Sequence, residues 1–187
     1  MKYTGFKLLD TNTGINAKMQ LFAVDASNAV VLGRGGEVKL VNDGTTTTVN
    51  GMSAASDDFV GIVQAVFGST GAFGSENGAQ LDYLPVSTAG FALVSTSPTA
   101  TYGIQADAAA SQAVMGDAAD SDYGVVVTGT GNSATKLDIA TLAGDGAAAQ
   151  WRILDKIDTS GNDWGDSDVM LVVTPLEHAY NSTPNAI

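Results

Sequence analysis

The sequence predicts an all-β protein, an antiparallel β-sandwich or β-barrel of about 10–12 short strands with at most one or two short helices. Three observations point there. Short apolar or alternating runs recur between clusters of turn-forming residues. Thr, Val and Gly dominate the places where good helix formers would be needed. Only one stretch, Ala106–Met115, has a helical composition, being Ala-rich and without a β-branched residue until Val114.

In chain order the strand-like runs are Lys18–Asp25, Ala29–Gly33, Glu37–Val41, Thr45–Asn50, Phe59–Phe67, Phe91–Ser95, Tyr102–Ala106, Tyr123–Thr128, Lys136–Ile139, Gln150–Ile157 and Asp168–Thr174. Asn42-Asp43-Gly44 separates the third from the fourth. An Asp-Gly turn reaches the positive φ angles of a tight hairpin loop, so a hairpin is expected there. Asn50-Gly51 marks the next reversal. Alternation says which runs are half-buried. Tyr102 and Ile104 share a face opposite Thr101, Gly103 and Gln105, while Trp151, Ile153 and Ile157 oppose Arg152 and Lys156. Val125–Val127 and Val169–Val173 are apolar on both faces, as central or covered strands are.

Residues 1–17 are polar and weakly patterned and read as an N-terminal arm, with one β domain over 18–187. The Gly-rich stretches Gly68–Gln80 and Gly129–Thr135 read as long loops, and 68–80 offers a possible sub-lobe boundary. The length, 187 residues, suits a single well-buried core.

Composition narrows the function classes. Only 15% of residues are charged, against a usual value of about 25%. The surface must then be built largely from Ser, Thr, Asn, Gly and Ala, which desolvate easily against a partner. The net charge is −12, from 20 Asp+Glu and 8 Lys+Arg. Scattered basic residues on so acidic a chain argue against nucleic acid and against an anionic membrane surface. No run approaches the roughly 18–20 apolar residues of a spanning helix, and no apolar signal segment follows Met1-Lys2-Tyr3-Thr4-Gly5. Cysteine is absent, which excludes disulfides and thiolate chemistry.

Candidate chemical residues each have a bland counterpart. His178 is the only histidine, so any His-dependent acid–base mechanism must use it, yet it follows the last strand in no nucleophile context. Zinc therefore has too few ligands. The acidic run from Asp158 to Asp168 places oxygen donors at Asp158, Asn162, Asp163, Asp166 and Asp168, with glycines to bend the backbone, as a calcium loop would. An acidic solvated loop between two strands has the same composition and is the preferred reading, so no metal site is expected. Asp10-Thr11-Asn12-Thr13-Gly14 is similar with fewer donors. Gly33-Arg34-Gly35-Gly36 is followed by a strand rather than a helix, so it reads as a turn and not a phosphate cradle, and Gly129-Thr130-Gly131-Asn132 reads likewise. The acid pairs Asp57-Asp58 and Asp120/Asp122 imitate a glycosidase dyad but read as turn residues. No catalytic residue and no cofactor is expected.

The order of several segments resembles a known family. They are Met19–Phe22, Ala29–Leu40, Phe59–Val63, Tyr83-Leu84-Pro85, Gly90–Ser95, Tyr102–Asp107, Trp151–Leu154, Leu171–Val173 and His178–Thr183. Together they resemble the head decoration, or capsid cement, proteins of tailed double-stranded DNA phages, a resemblance that spans about Gly5 to Thr183. The resemblance implies a non-enzymatic virion protein made in the host cytoplasm and bound to the outer capsid surface. Its partner would be the major capsid protein, with self-association as a trimer or dimer. The alternative expectation is a calcium-dependent carbohydrate-binding β-domain on a virion surface, using the Asp158–Asp168 loop.

Overall fold

The computed structural model describes residues 5–10, 18–42, 46–69, 80–123, 131–144 and 149–180. Among these the strands are β1 (Lys7–Asp10), β2 (Met19–Val24), β3 (Leu32–Gly33), β4 (Glu37–Asn42), β5 (Thr47–Gly51), β6 (Phe59–Gly68), β7 (Gln80–Leu81), β8 (Tyr83–Leu84), β9 (Gly90–Ser95), β10 (Thr101–Gln105), β11 (Ala118–Ala119), β12 (Trp151–Lys156) and β13 (Met170–Pro175). The all-β expectation holds. No helix among the described residues is long and apolar enough to cross a membrane.

Five strands close into a barrel in the order β4-β5-β2-β9-β6, with β6 pairing back to β4. Four of the pairings are antiparallel, and β2 meets β5 in parallel through Val24 and Val49. Barrel diameter grows with strand number, so five strands leave room only for small side chains. The interior accordingly holds Val24, Val38, Val49, Val60, Val63, Val66, Ala92 and Val94, with Phe22. A short ribbon, β3 with β8, adds the paired Leu32 and Leu84.

The second layer is an open antiparallel sheet in the order β1-β10-β13-β12-β11. It packs its inner face, including Tyr102, Ile104, Trp151, Ile153, Leu171 and Val173, onto Phe59, Ile62 and Met52 from outside the barrel. Strand β6 therefore serves two cores at once. Strict alternation cannot do this, and register shifts opposite Val38/Lys39 and between Val63 and Ala65 re-aim its side chains. Where β6 crosses β9, Gly61 is forced: a Cβ there would lie 2.2 Å from the Ser95 carbonyl oxygen.

Several expectations are corrected. Inside the stretch read as an arm, Lys7–Asp10 is an edge strand and Phe6 belongs to the second core. Of Ala29–Gly33 only Leu32–Gly33 is strand. The helical candidate Ala106–Met115 contains only a 3-10 turn, Gln112–Val114. Its alanines are used for close approach instead: Ala106 and Ala110 are buried, the Ala106 amide donates to Val169 O, and Ala110 O accepts from Gly165 N. Lys136–Ile139 is irregular, with Leu137 bridging Ala106 and Ser121 before a 3-10 turn at Ile139–Thr141.

The expected hairpin pairs β4 with β5, Asn42 opposite Thr47, although residues 43–45 lie outside the described set. Residues 68–80 connect β6 to β7, which pair with each other, and residues 70–79 lie outside the described set. The run 124–128 also falls outside it.

Candidate functional site

A buried polar cluster lies where barrel and sheet meet. Glu37 opens β4. Its neighbour Val38 points into the barrel, so its own side chain points towards the second layer. There its Oε1 accepts from Trp151 Nε1 at 2.9 Å and its Oε2 from Ser121 Oγ at 2.5 Å. Glu37 is 5% exposed. Burial pushes its carboxyl up to about 7; the two hydrogen bonds oppose this, and the charges of Asp122 and Asp120 add to it.

Around it, Asp120 Oδ1 accepts from Gln150 N at 3.1 Å, Tyr123 OH donates to Gln150 Oε1 at 2.8 Å, and Gln150 Nε2 donates to Ala55 O at 3.2 Å. Tyr123 has φ 49°, a left-handed conformation rare for an aromatic residue. Burial, with the charges of Glu37 and Asp120, raises its hydroxyl well above the ordinary range.

A carboxyl half-protonated near neutrality suits general acid catalysis. Here, however, both oxygens are held by protein donors and the group is enclosed, so a substrate would have to part the two layers to reach it. The acids Asp57, Asp120 and Asp122 accept hydrogen bonds from the backbone. Asp122 Oδ1 accepts from Lys136 N at 2.7 Å. Burial works against ionisation of Asp57, but hydrogen bonds from Lys39 Nζ at 2.7 Å, Ser53 N at 2.9 Å and Ala54 N at 3.2 Å hold it below its ordinary value.

His178 is 5% exposed and stands edge-on to Phe59, ring centroids 5.4 Å apart. Its Nδ1 accepts the Tyr180 amide at 3.1 Å, which assigns the ring proton to Nε2. Burial lowers its pKa to about 4, with the Val60 backbone opposing. The next residue extends the contact, Ala179 N donating to Phe59 O at 2.7 Å.

The calcium candidates are placed differently from one another. Asp158 is fully exposed, 3.7 Å from Lys156 Nζ. Asp166 Oδ2 accepts from Asp163 N at 3.2 Å. Asn162, by contrast, is 3% exposed. Its Nδ2 donates to Ile157 O at 2.7 Å and Met170 O at 2.9 Å, and its Oδ1 accepts from Met170 N at 2.7 Å. It staples the β12–β13 loop, and its oxygen is already engaged. Asp168 has a polar or ionic partner of its own. Among the described residues no three His, Cys, Asp or Glu side chains gather as a metal site.

Two surface features escaped the sequence reading. Arg34, Ala65, Val66, Gln80, Leu81, Asp82 and Gly131 line an open cleft of about 300 Å³. More extensive is an apolar stripe outside the barrel. On β2 the inward Phe22 and Val24 alternate with outward Met19, Leu21 and Ala23, the first two 42% and 40% exposed. Leu21 lies opposite Leu93 and Ala23 opposite Phe91; across β9, Leu93 lies opposite Ala65 and Phe91 opposite Phe67. The second sheet covers the other part of this outer surface, at Ile62. The available signal was the run Met-Gln-Leu-Phe-Ala-Val itself, apolar on both of its faces.

A scan against protein-family models finds no match, and searches of curated proteins and of solved structures find none either.

Proposed function

We propose that this chain is a non-enzymatic virion structural protein that binds the outer surface of a phage capsid and stabilises it by bridging major capsid protein subunits. The observation that carries the reading is the apolar stripe Met19, Leu21, Leu93, Ala65, Phe91 and Phe67 on the open side of the barrel. An antiparallel sheet with one face in water ordinarily alternates apolar and polar residues. An apolar outer face gains about 25 cal/mol for each Å² it removes from water, which favours a protein partner.

Charge supports the same orientation. A net charge of −12 would be repelled by packaged DNA, so the outside of a filled head is the favourable side. Weak contacts repeated over several subunits would add through effective concentration. The resemblance of the segment order to capsid cement proteins agrees with this reading, and self-association as a trimer or dimer is part of the proposal.

Co-sedimentation with undecorated heads tests it. Saturable binding at a fixed copy number, with heads that resist heat or low-salt rupture, is the expected result, and Leu21→Glu should abolish it. Absence of binding by the unaltered protein would overturn the proposal.

A further inference from the structure

We infer that Glu37 and His178, standing on either side of the buried Trp151–Phe59 ring pair, are opposed proton-sensitive clasps between barrel and outer sheet, one loosening as the other tightens when the pH changes. The inference is independent of the capsid reading.

The geometry is a continuous line. Glu37 from β4 holds Trp151 of β12. Trp151 stands edge-on to Phe59 of β6, centroids 5.0 Å apart. Phe59 in turn meets His178, beyond the end of β13, at 5.4 Å. Each clasp thus joins a barrel strand to the outer sheet, and both are removed from water, where a charge is costly unless compensated.

Among the described residues, neither group has a close opposite charge. Glu37 faces Ser121 and Trp151 directly, with Asp120, Asp122 and Tyr123 nearby. His178 faces Phe59, the Val60 backbone and Tyr180. Beyond it lie exposed Glu177 and the Lys18 ammonium, which sits 5.8 Å from the Tyr180 ring.

The two gradients have opposite signs. Glu37 titrates at about 7 folded against 4.5 unfolded, so it stabilises fully below 4.5, and that contribution drains as pH rises towards 7. His178 titrates at about 4 folded against 6.5 unfolded, so its contribution is complete above 6.5 and drains as pH falls towards 4. Between 4.5 and 6.5 they cancel, and above 6.5 only the Glu37 loss remains. Asp57, the lowered carboxylate, acts below this window.

Unfolding of the full chain between pH 4.5 and 8 is the test, with Glu37→Gln and His178→Asn as near-isosteric variants. The unaltered protein should be nearly flat to pH 6.5 and then weaken. Glu37→Gln should gain stability from 4.5 to 6.5 and then level. His178→Asn should lose it steadily to about 7. Each slope should amount to roughly a hundredfold in the unfolding constant. A variant profile parallel to the unaltered one overturns the inference. A second readout needs no variant: with one histidine in the chain, a ring resonance titrating near 6.5 rather than near 4 would also overturn it.

Discussion

The barrel and the outer sheet solve the same problem differently. Every barrel strand is paired on both sides, and its hydrophobic cluster is made of Val, Ala, Leu and one Phe. The outer sheet is open at β1 and β11. It is held down by rings: Phe6 stacks on Trp151 at 4.2 Å, and Phe59 and Tyr102 meet Trp151 edge-on at 5.0 and 5.7 Å. Each polar ring tip has a partner across the seam, Trp151 Nε1 on Glu37 and Tyr102 OH against Ser95 Oγ at 3.2 Å. Closure supplies the barrel with cooperativity through its backbone. The open sheet needs large side chains and directed hydrogen bonds to fix its position.

The contrast is broken most severely at Trp151. Truncation to Ala should cost about 3–5 kcal/mol in packing and strip Glu37 of a donor, adding roughly 1–3 kcal/mol. Leu84→Ala, on the ribbon that packs into the barrel's hydrophobic cluster, leaves only a cavity and should cost roughly 2–5 kcal/mol. Denaturant unfolding of both variants checks the order. Trp151→Phe isolates the lost donor and should fall near the smaller figure; a Trp151→Ala loss no greater than that of Leu84→Ala would show that the seam is not the more demanding interface.

Asn162 gives the intermediate effect. Asn162→Ala leaves Met170 N and the carbonyls of Ile157 and Met170 without their side-chain partner. The expected loss is roughly 1–3 kcal/mol, with faster amide exchange confined to the β12–β13 loop. Calcium should restore none of it.

Legibility followed how local the cause was. Period-two runs and the Asn42-Asp43-Gly44 turn are local, and β2, β4, β6, β9, β10, β12 and β13 appear where the pattern puts them. The helical reading of Ala106–Met115 failed because helix propensity was overridden by tertiary bridges from Ala106 to Leu137 and Val169. Barrel closure between β4 and β6 depends on register shifts that no periodicity announces. For the candidate site, Asp120 and Asp122 stand out in the sequence as an acid pair, but Glu37 reads as an ordinary strand residue. What makes it unusual is burial by Trp151, more than a hundred residues away in the chain. Asn162 likewise reads as one oxygen donor of an acidic loop, whereas it is a buried staple.

The smallest effect is the most informative about the outer stripe. Leu21 and Phe22 are adjacent on β2, yet one is 40% exposed outside the barrel and the other 5% exposed within it. Phe22→Ala should cost about 3–5 kcal/mol. Leu21→Ser should stay within about 0.5 kcal/mol, as surface substitutions do when no packing is lost, while shifting any self-association measured by sedimentation velocity towards the monomer. If Leu21→Ser instead destabilises as much as its neighbour, the stripe belongs to the fold of a single chain. A stability-neutral Leu21→Ser that weakens assembly would assign Leu21 to an interface, because only a group already facing water can be changed freely in the monomer and still matter to a partner.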